Sequence, residues 1–137
     1  MIVVDASVLT DFLLGRTEAV EALVSELTGR EHEPLHAPEL IDPETLNALR
    51  RLAGRGAVTD QRASEAVSDL ANTRLIRYSH APLRTRVWEL RHDLTAYDAT
   101  YLALAEGLAG SILLTGDGGL ASRARSSLGD DQVHQVQ

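Results

Sequence analysis

Asp5, Glu44, Asp98 and Asp117 are the residues whose type and setting suit chemistry. Asp5 closes the aliphatic run Ile2-Val3-Val4, and Asp117 follows a second such run in "SILLTGD". Glu44 lies in "DPETLNALRR" and Asp98 in "TAYDATYLALAE". Each acid also has an ordinary structural role open to it. Asp is a favoured helix N-cap, which suits Asp5. An acid at a helix N-terminus is stabilised by roughly 0.3–1 kcal/mol against the macrodipole, which suits Glu44. Asp98 stands three residues after Thr95, the spacing of a capping box. Asp-Gly is a common turn pair, which suits Asp117. What sets the four apart is that all fall where strand carboxyl ends meet helix N-termini. Carboxylates held close together repel, and some take up protons. A hard divalent cation, magnesium or manganese, removes that conflict. One or two such ions can bind a scissile phosphate, activate a water and stabilise the leaving oxygen.

The elements that must position these acids alternate between strand and helix. "MIVVD" reads as a strand buried on both faces, and "SVLTDFLLG" as a short helix ending near Gly15. "TEAVEALVSELTG" is amphipathic, with Val20, Leu23, Val24 and Leu27 on one face. "PLHAP" is a short extended piece. "DPETLNALRRLAGRG" predicts a helix with Asp42 as N-cap and Pro43 in its first position. "TDQRASEAVSDLANT" predicts another, capped by Thr59 or Asp60. "RLIRYSH" reads as a strand, and "APLRTRVWELRHD" as a helix carrying Val87, Trp88 and Leu90. Thr95 opens the most apolar helix, "TAYDATYLALAEGLAG"; "SILLT" is a second buried strand; "GGLASRARSSLG" is a last helix and "QVHQVQ" a final edge strand. Strands separated by helices pair in parallel, with right-handed crossovers and helices on both faces. The expected fold is one α/β domain over 1–137: a three-layer α/β/α sandwich around a central, mostly parallel sheet of four or five short strands. In such sheets, sites lie outside the carboxyl ends of the strands, where Asp5 would emerge.

Composition narrows the chemistry. The 137 residues are 44% hydrophobic, with no run long enough for a membrane span, and the expected location is the cytoplasm. There is no cysteine, which excludes disulfides and thiolate metal sites. All thirteen Lys and Arg residues are arginine, so P-loop, Schiff-base and lysine-base chemistry are excluded. The net charge of -7 argues against a general polyanion binder. A nucleic acid substrate would need local arginines or bound cations to offset repulsion.

At the four acids the sequence resembles the PIN-domain ribonucleases, specifically the VapC-type toxins of bacterial toxin–antitoxin (VapBC) systems. The resemblance rests on "VDASVL", "HAPELIDPETLNALRR", "LTAYDATYLALAE" and "LLTGDGGLA" in that order, and it spans nearly the whole chain. It implies a Mg2+- or Mn2+-dependent endoribonuclease, with one or two ions held by Asp5, Glu44, Asp98 and Asp117. It implies 5′-phosphate and 3′-hydroxyl products, and a homodimer or larger assembly. It also implies a small VapB-like antitoxin that covers the active-site groove. Ser7 and Thr115 fall where the family has hydroxyl residues near the site. Asn47 lies one helical turn from Glu44 on the same face, and Arg51 one turn further. Arg51 and Arg50 are candidate RNA contacts, as are Arg55, Arg84, Arg86 and Arg91. Two features depart from the pattern. Pro43 directly precedes Glu44, which implies a late helix start, and the glycine-rich "GDGG" turn implies mobility at Asp117. The alternatives are a non-catalytic PIN-like protein-binding module, a histidine-based ribonuclease using some of the five scattered histidines, and a phosphorelay receiver. The receiver needs a lysine and paired acids at the end of the first strand, and both are missing.

Overall fold

Ile2, Val3 and Val4 form β1 (Ile2–Val4) and are at most 1% exposed in the computed structural model, which describes residues 1–137. β1 sits at the centre of a five-stranded sheet of order β3-β2-β1-β4-β5. The other strands are β2 (Leu35–Pro38), β3 (Leu75–Tyr78), β4 (Ile112–Thr115) and β5 (Val133–Gln135). Every pairing is parallel, so all carboxyl ends lie along one edge. β1 runs in register with β4, Val4 opposite Leu114, which brings Asp5 beside the Thr115–Asp117 turn. The extended "PLHAP" is thus an inner strand, its prolines confined to the flank and the last position.

Seven helices complete the fold: α1 (Ala6–Leu13), α2 (Thr17–Leu27), α3 (Ile41–Gly54), α4 (Asp60–Asn72), α5 (Arg84–Glu89), α6 (Ala96–Gly107) and α7 (Gly118–Leu128). They form two packed groups, α1–α4 and α5–α7, flanking the sheet. α6 is buried along most of its length, from Ala99 to Ala105, and packs on β1, β2 and β4. Thr59, rather than Asp60, caps α4 by accepting a bond from the Arg62 N–H.

Three local expectations are corrected. The buried residues of α2 are Ala19, Ala22 and Leu23, while Val24 is 61% exposed. α2 packs on α1, and Val24 lies on its outer face. α3 starts at Ile41 with Leu40 at the cap position, so Asp42 lies inside the first turn. The Asp42 carboxylate instead pairs with Arg77 on β3, Nη2 to Oδ1 at 2.9 Å. Pro43 fits within the first turn, whose N–H groups lack helical partners in any case. The segment after β3 is a 3-10 turn (Ala81–Leu83) followed by the short α5, not one helix. There Leu90 is buried but Trp88 is 67% exposed, with the Arg91 guanidinium 4.5 Å from its ring centre.

Candidate active site

Asp5 is both a helix cap and part of a cavity lining. Its Oδ1 accepts from the Val8 N–H at 3.0 Å, capping α1, and from the Ser7 hydroxyl at 2.6 Å. Its Oδ2 accepts from the Thr115 hydroxyl. Both hydroxyls also reach the turn after β4: Ser7 Oγ accepts from Gly116 N–H and Thr115 Oγ1 from Asp117 N–H, each at 3.0 Å. A Cβ on Gly116 would lie 3.0 Å from Ser7 Oγ, so this approach depends on glycine. Asp117 in turn caps α7, Oδ1 accepting from Leu120 N–H at 2.7 Å. These bonds tie the glycine-rich turn to both hydroxyl partners of Asp5 and to the start of α7. Burial pushes the Asp5 carboxyl above its ordinary value, opposed by the bonds from Ser7, Thr115 and Val8 and reinforced by the Asp117 charge.

Glu44 and Asp98 arrive from the first turns of α3 and α6. The late start implied by Pro43 does not occur, since the Glu44 N–H already bonds the Leu40 carbonyl at 3.1 Å. Glu44 Oε1 accepts from the Tyr101 hydroxyl at 2.6 Å. Burial raises the Glu44 carboxyl; the Tyr101 bond opposes this, the Asp5 charge adds to it and the Arg51 charge opposes it. Thr95 caps α6 through the Asp98 N–H at 3.3 Å, but the reciprocal bond of a capping box is not made. The Asp98 carboxylate is left without any donor from the protein. Half-buried, and repelled by Asp117, Asp5 and Glu44, it is pushed up from 3.8 to about 6.

One cavity of about 230 Å³ is lined by Asp5, Ser7, Glu44, Asn47, Arg51, Asp98, Tyr101 and Asp117. Thr115 lies behind it, bonded to Asp5. Arg50 does not reach it: its Nε donates to Asn47 Oδ1 at 3.2 Å, and its side chain lines the cleft between α3 and α4. No histidine lines the cavity. His36 is buried against Tyr78, and His80 accepts from the Leu40 N–H. Arg86 is held by a two-pronged pair with Glu106 at 2.8 and 2.9 Å. Tyr101 is the residue that sequence reading missed. Its place three residues after Asp98 on α6 was the one available signal, and that spacing alone does not separate it from a core tyrosine.

No three of the acids stand close enough together to ligate one ion in this arrangement. Their chemistry nonetheless suits a hard cation: four carboxylates face one cavity, and none of them has an ion-pair partner.

Fold and cavity together define a parallel α/β protein with acids gathered at the carboxyl edge of its sheet, and the PIN domain family model matches residues 2–126. The chain belongs to the PIN-domain family. Within that family it is 43% identical to ribonuclease VapC9 of Mycobacterium tuberculosis over 111 residues, covering 79% of this chain and 80% of the relative. Ribonuclease VapC1 of the same organism is 40% identical over 122 residues, 88% of each chain. Ribonuclease VapC12 is 36% identical over 121 residues, 88% of this chain and 90% of the relative.

Proposed function

We propose that this chain is a metal-dependent endoribonuclease and the toxin of a toxin–antitoxin pair. The observation that carries the metal dependence is Asp98: a half-buried carboxylate with no donor, facing three other acids. The ribonuclease reading is supported by relatives that bear that name at 36–43% identity. Asp5, Glu44, Asp98 and Asp117 would hold one or two Mg2+ or Mn2+ ions. Such a cation supplies Lewis acidity to a bound phosphate and lowers the pKa of a water, the nucleophile for phosphodiester hydrolysis. Ser7 and Thr115 fix the orientation of the Asp5 carboxylate, and Tyr101 fixes that of Glu44. Arg51, exposed at the cavity mouth, offers a guanidinium to a phosphate oxygen. Asn47 offers an amide beside it. Water attack leaves a 5′-phosphate and a 3′-hydroxyl.

The partner in this reading is a small antitoxin that covers the acid cavity, and the working assembly is a homodimer or larger. The setting is the cytoplasm; no helix is long and apolar enough to cross a membrane. The test is RNA cleavage by the purified protein, with products mapped at both ends. Cleavage should require magnesium or manganese and stop with chelator. Asp98→Asn or Asp5→Asn should lower it by more than about 100-fold, beyond the 10–100-fold typical of changes outside the ligand set. Full activity in either variant, or cleavage that survives chelation with cyclic phosphate ends, would overturn the reading.

A further inference from the structure

The acid cavity does not end at Arg51. A second opening, about 350 Å³, runs between α1 and α3 and shares Ser7, Ala48 and Arg51 with it. This groove is also lined by Arg16 and Arg55. Arg51 and Arg55 are exposed, and neither takes part in any ion pair of the protein. Arg16 stands 3.5 Å from Asp11, the one acid in the lining, with both side chains more than 40% exposed. Three arginines against one carboxylate make the groove locally positive on a chain of net charge -7. Beneath them Thr10 is 3% exposed, and its hydroxyl has no hydrogen-bond partner. Buried hydroxyls are rarely left so, and each instance asks for an explanation.

We propose that the α1–α3 groove is the path of the RNA strand on one side of the scissile phosphate. Arg51, Arg55 and Arg16 hold its backbone phosphates. The proposal rests on the ribonuclease reading and adds to it where the substrate lies. Guanidinium groups suit phosphate because their planar fork can donate two parallel bonds, and they are always charged. Arg55 is the C-cap of α3, its N–H bonded to the Arg51 carbonyl, so the two lie one turn apart, a rise of about 6 Å. That separation resembles the spacing of successive phosphates on an extended strand. No aromatic side chain lines the groove, and its charged groups are guanidiniums suited to phosphate, contacts that position a strand without reading its sequence. Its contribution to affinity is therefore uniform across sequences, and choice of cleavage site arises elsewhere.

The experiment measures binding of end-labelled single-stranded RNA as a function of monovalent salt. It uses the Asp98→Asn protein, at fixed magnesium, so that the RNA stays intact. Arg55→Ala and Arg16→Ala should each lower the slope of log affinity against log salt by about 0.7, the loss of one phosphate contact on a single strand. Arg74→Ala, exposed just before the amino end of β3 and so at the opposite edge of the sheet, should leave the slope unchanged. The losses should be equal for RNAs of different sequence. In the cleaving protein, Arg55→Ala should raise KM and leave kcat unchanged. Unchanged slopes for both groove variants would overturn the proposal. So would a loss confined to one RNA sequence, or an effect seen only on self-association or on binding of a protein partner. Failure of the ribonuclease reading is separately visible: the unmodified protein would then not cut RNA with metal at all.

Discussion

Asp98 is held among like charges at the expense of stability. Its carboxyl loses hydration and faces three like charges, so its folded pKa of about 6 lies above the unfolded 3.8. Between those values the folded state binds more protons than the unfolded state. Its stability contribution is thus present at low pH and lost as pH rises through about 6. Asp98→Asn should therefore raise the melting temperature of the metal-free protein at about pH 7.5, by a margin that shrinks on acidification to about pH 4. Magnesium should stabilise the unmodified protein and leave the variant little changed. Thermal unfolding of both proteins across that range, with and without metal, checks all three outcomes. Tyr101 belongs to the same scale. Tyr101→Phe removes the one donor to Glu44 Oε1 while preserving the ring, which is 1% exposed. Metal affinity, read by calorimetry, should fall roughly 10–100-fold, the size typical for an outer-shell partner. The four acids could be picked out from type and position, whereas Tyr101 could not. A tyrosine in an apolar helix looks like core, and only the tertiary approach of α3 to α6 turns its hydroxyl toward a carboxylate.

Among the elements, strand ends and helix starts do the positioning. Asp5, Thr95 and Asp117 all satisfy free N–H groups at helix N-termini, and two of these caps also line the acid cavity. The sequence posed cap against ligand for Asp5 and turn against ligand for Asp117; a carboxylate has lone pairs enough that capping a helix does not exclude binding a cation. The weak point of this arrangement is the contact of Gly116 with Ser7. Gly116→Ala should push the Ser7 hydroxyl off the Gly116 N–H and loosen the Asp5 carboxylate. Cleavage should drop while the melting temperature falls only slightly, since the residue is exposed and its φ is unremarkable. Ser7→Ala should reproduce the loss of activity, and a Gly116→Ala protein of full activity would refute this account. Element boundaries were less legible than element types. The start of α3 was misplaced because Asp42-Pro43 reads as a cap followed by a first helical residue. The competing pull of Arg77, which lies 35 residues away in sequence, cannot be seen locally.

For the whole molecule, the parallel sheet is what makes a cavity from residues scattered over the chain. Asp5 and Asp117 lie far apart in sequence and meet because β1 and β4 are neighbours in register. The alternation of apolar strands with helices made that topology readable, since both central strands are aliphatic and short. The outer faces were harder to read. Val24 and Trp88 look like core residues by type and lie on the surface, because which face of a helix meets its neighbours is set by tertiary packing and not by residue type. Trp88 lines a mainly apolar hollow with Leu40, Val87 and Tyr97, and that hollow shares no residue with the α1–α3 groove.

That separation has a spectroscopic consequence. Trp88 is the only tryptophan in the chain, so intrinsic fluorescence excited on its absorption edge reports one place. In the free monomer its emission should be that of a solvated indole, red-shifted and readily quenched by iodide. Any second subunit or protein partner that covers the hollow should shift the emission to the blue and shield it from the quencher. RNA seated along α1 and α3 should leave both unchanged. A titration followed by emission wavelength and by quenching would therefore tell substrate from protein partner without a label.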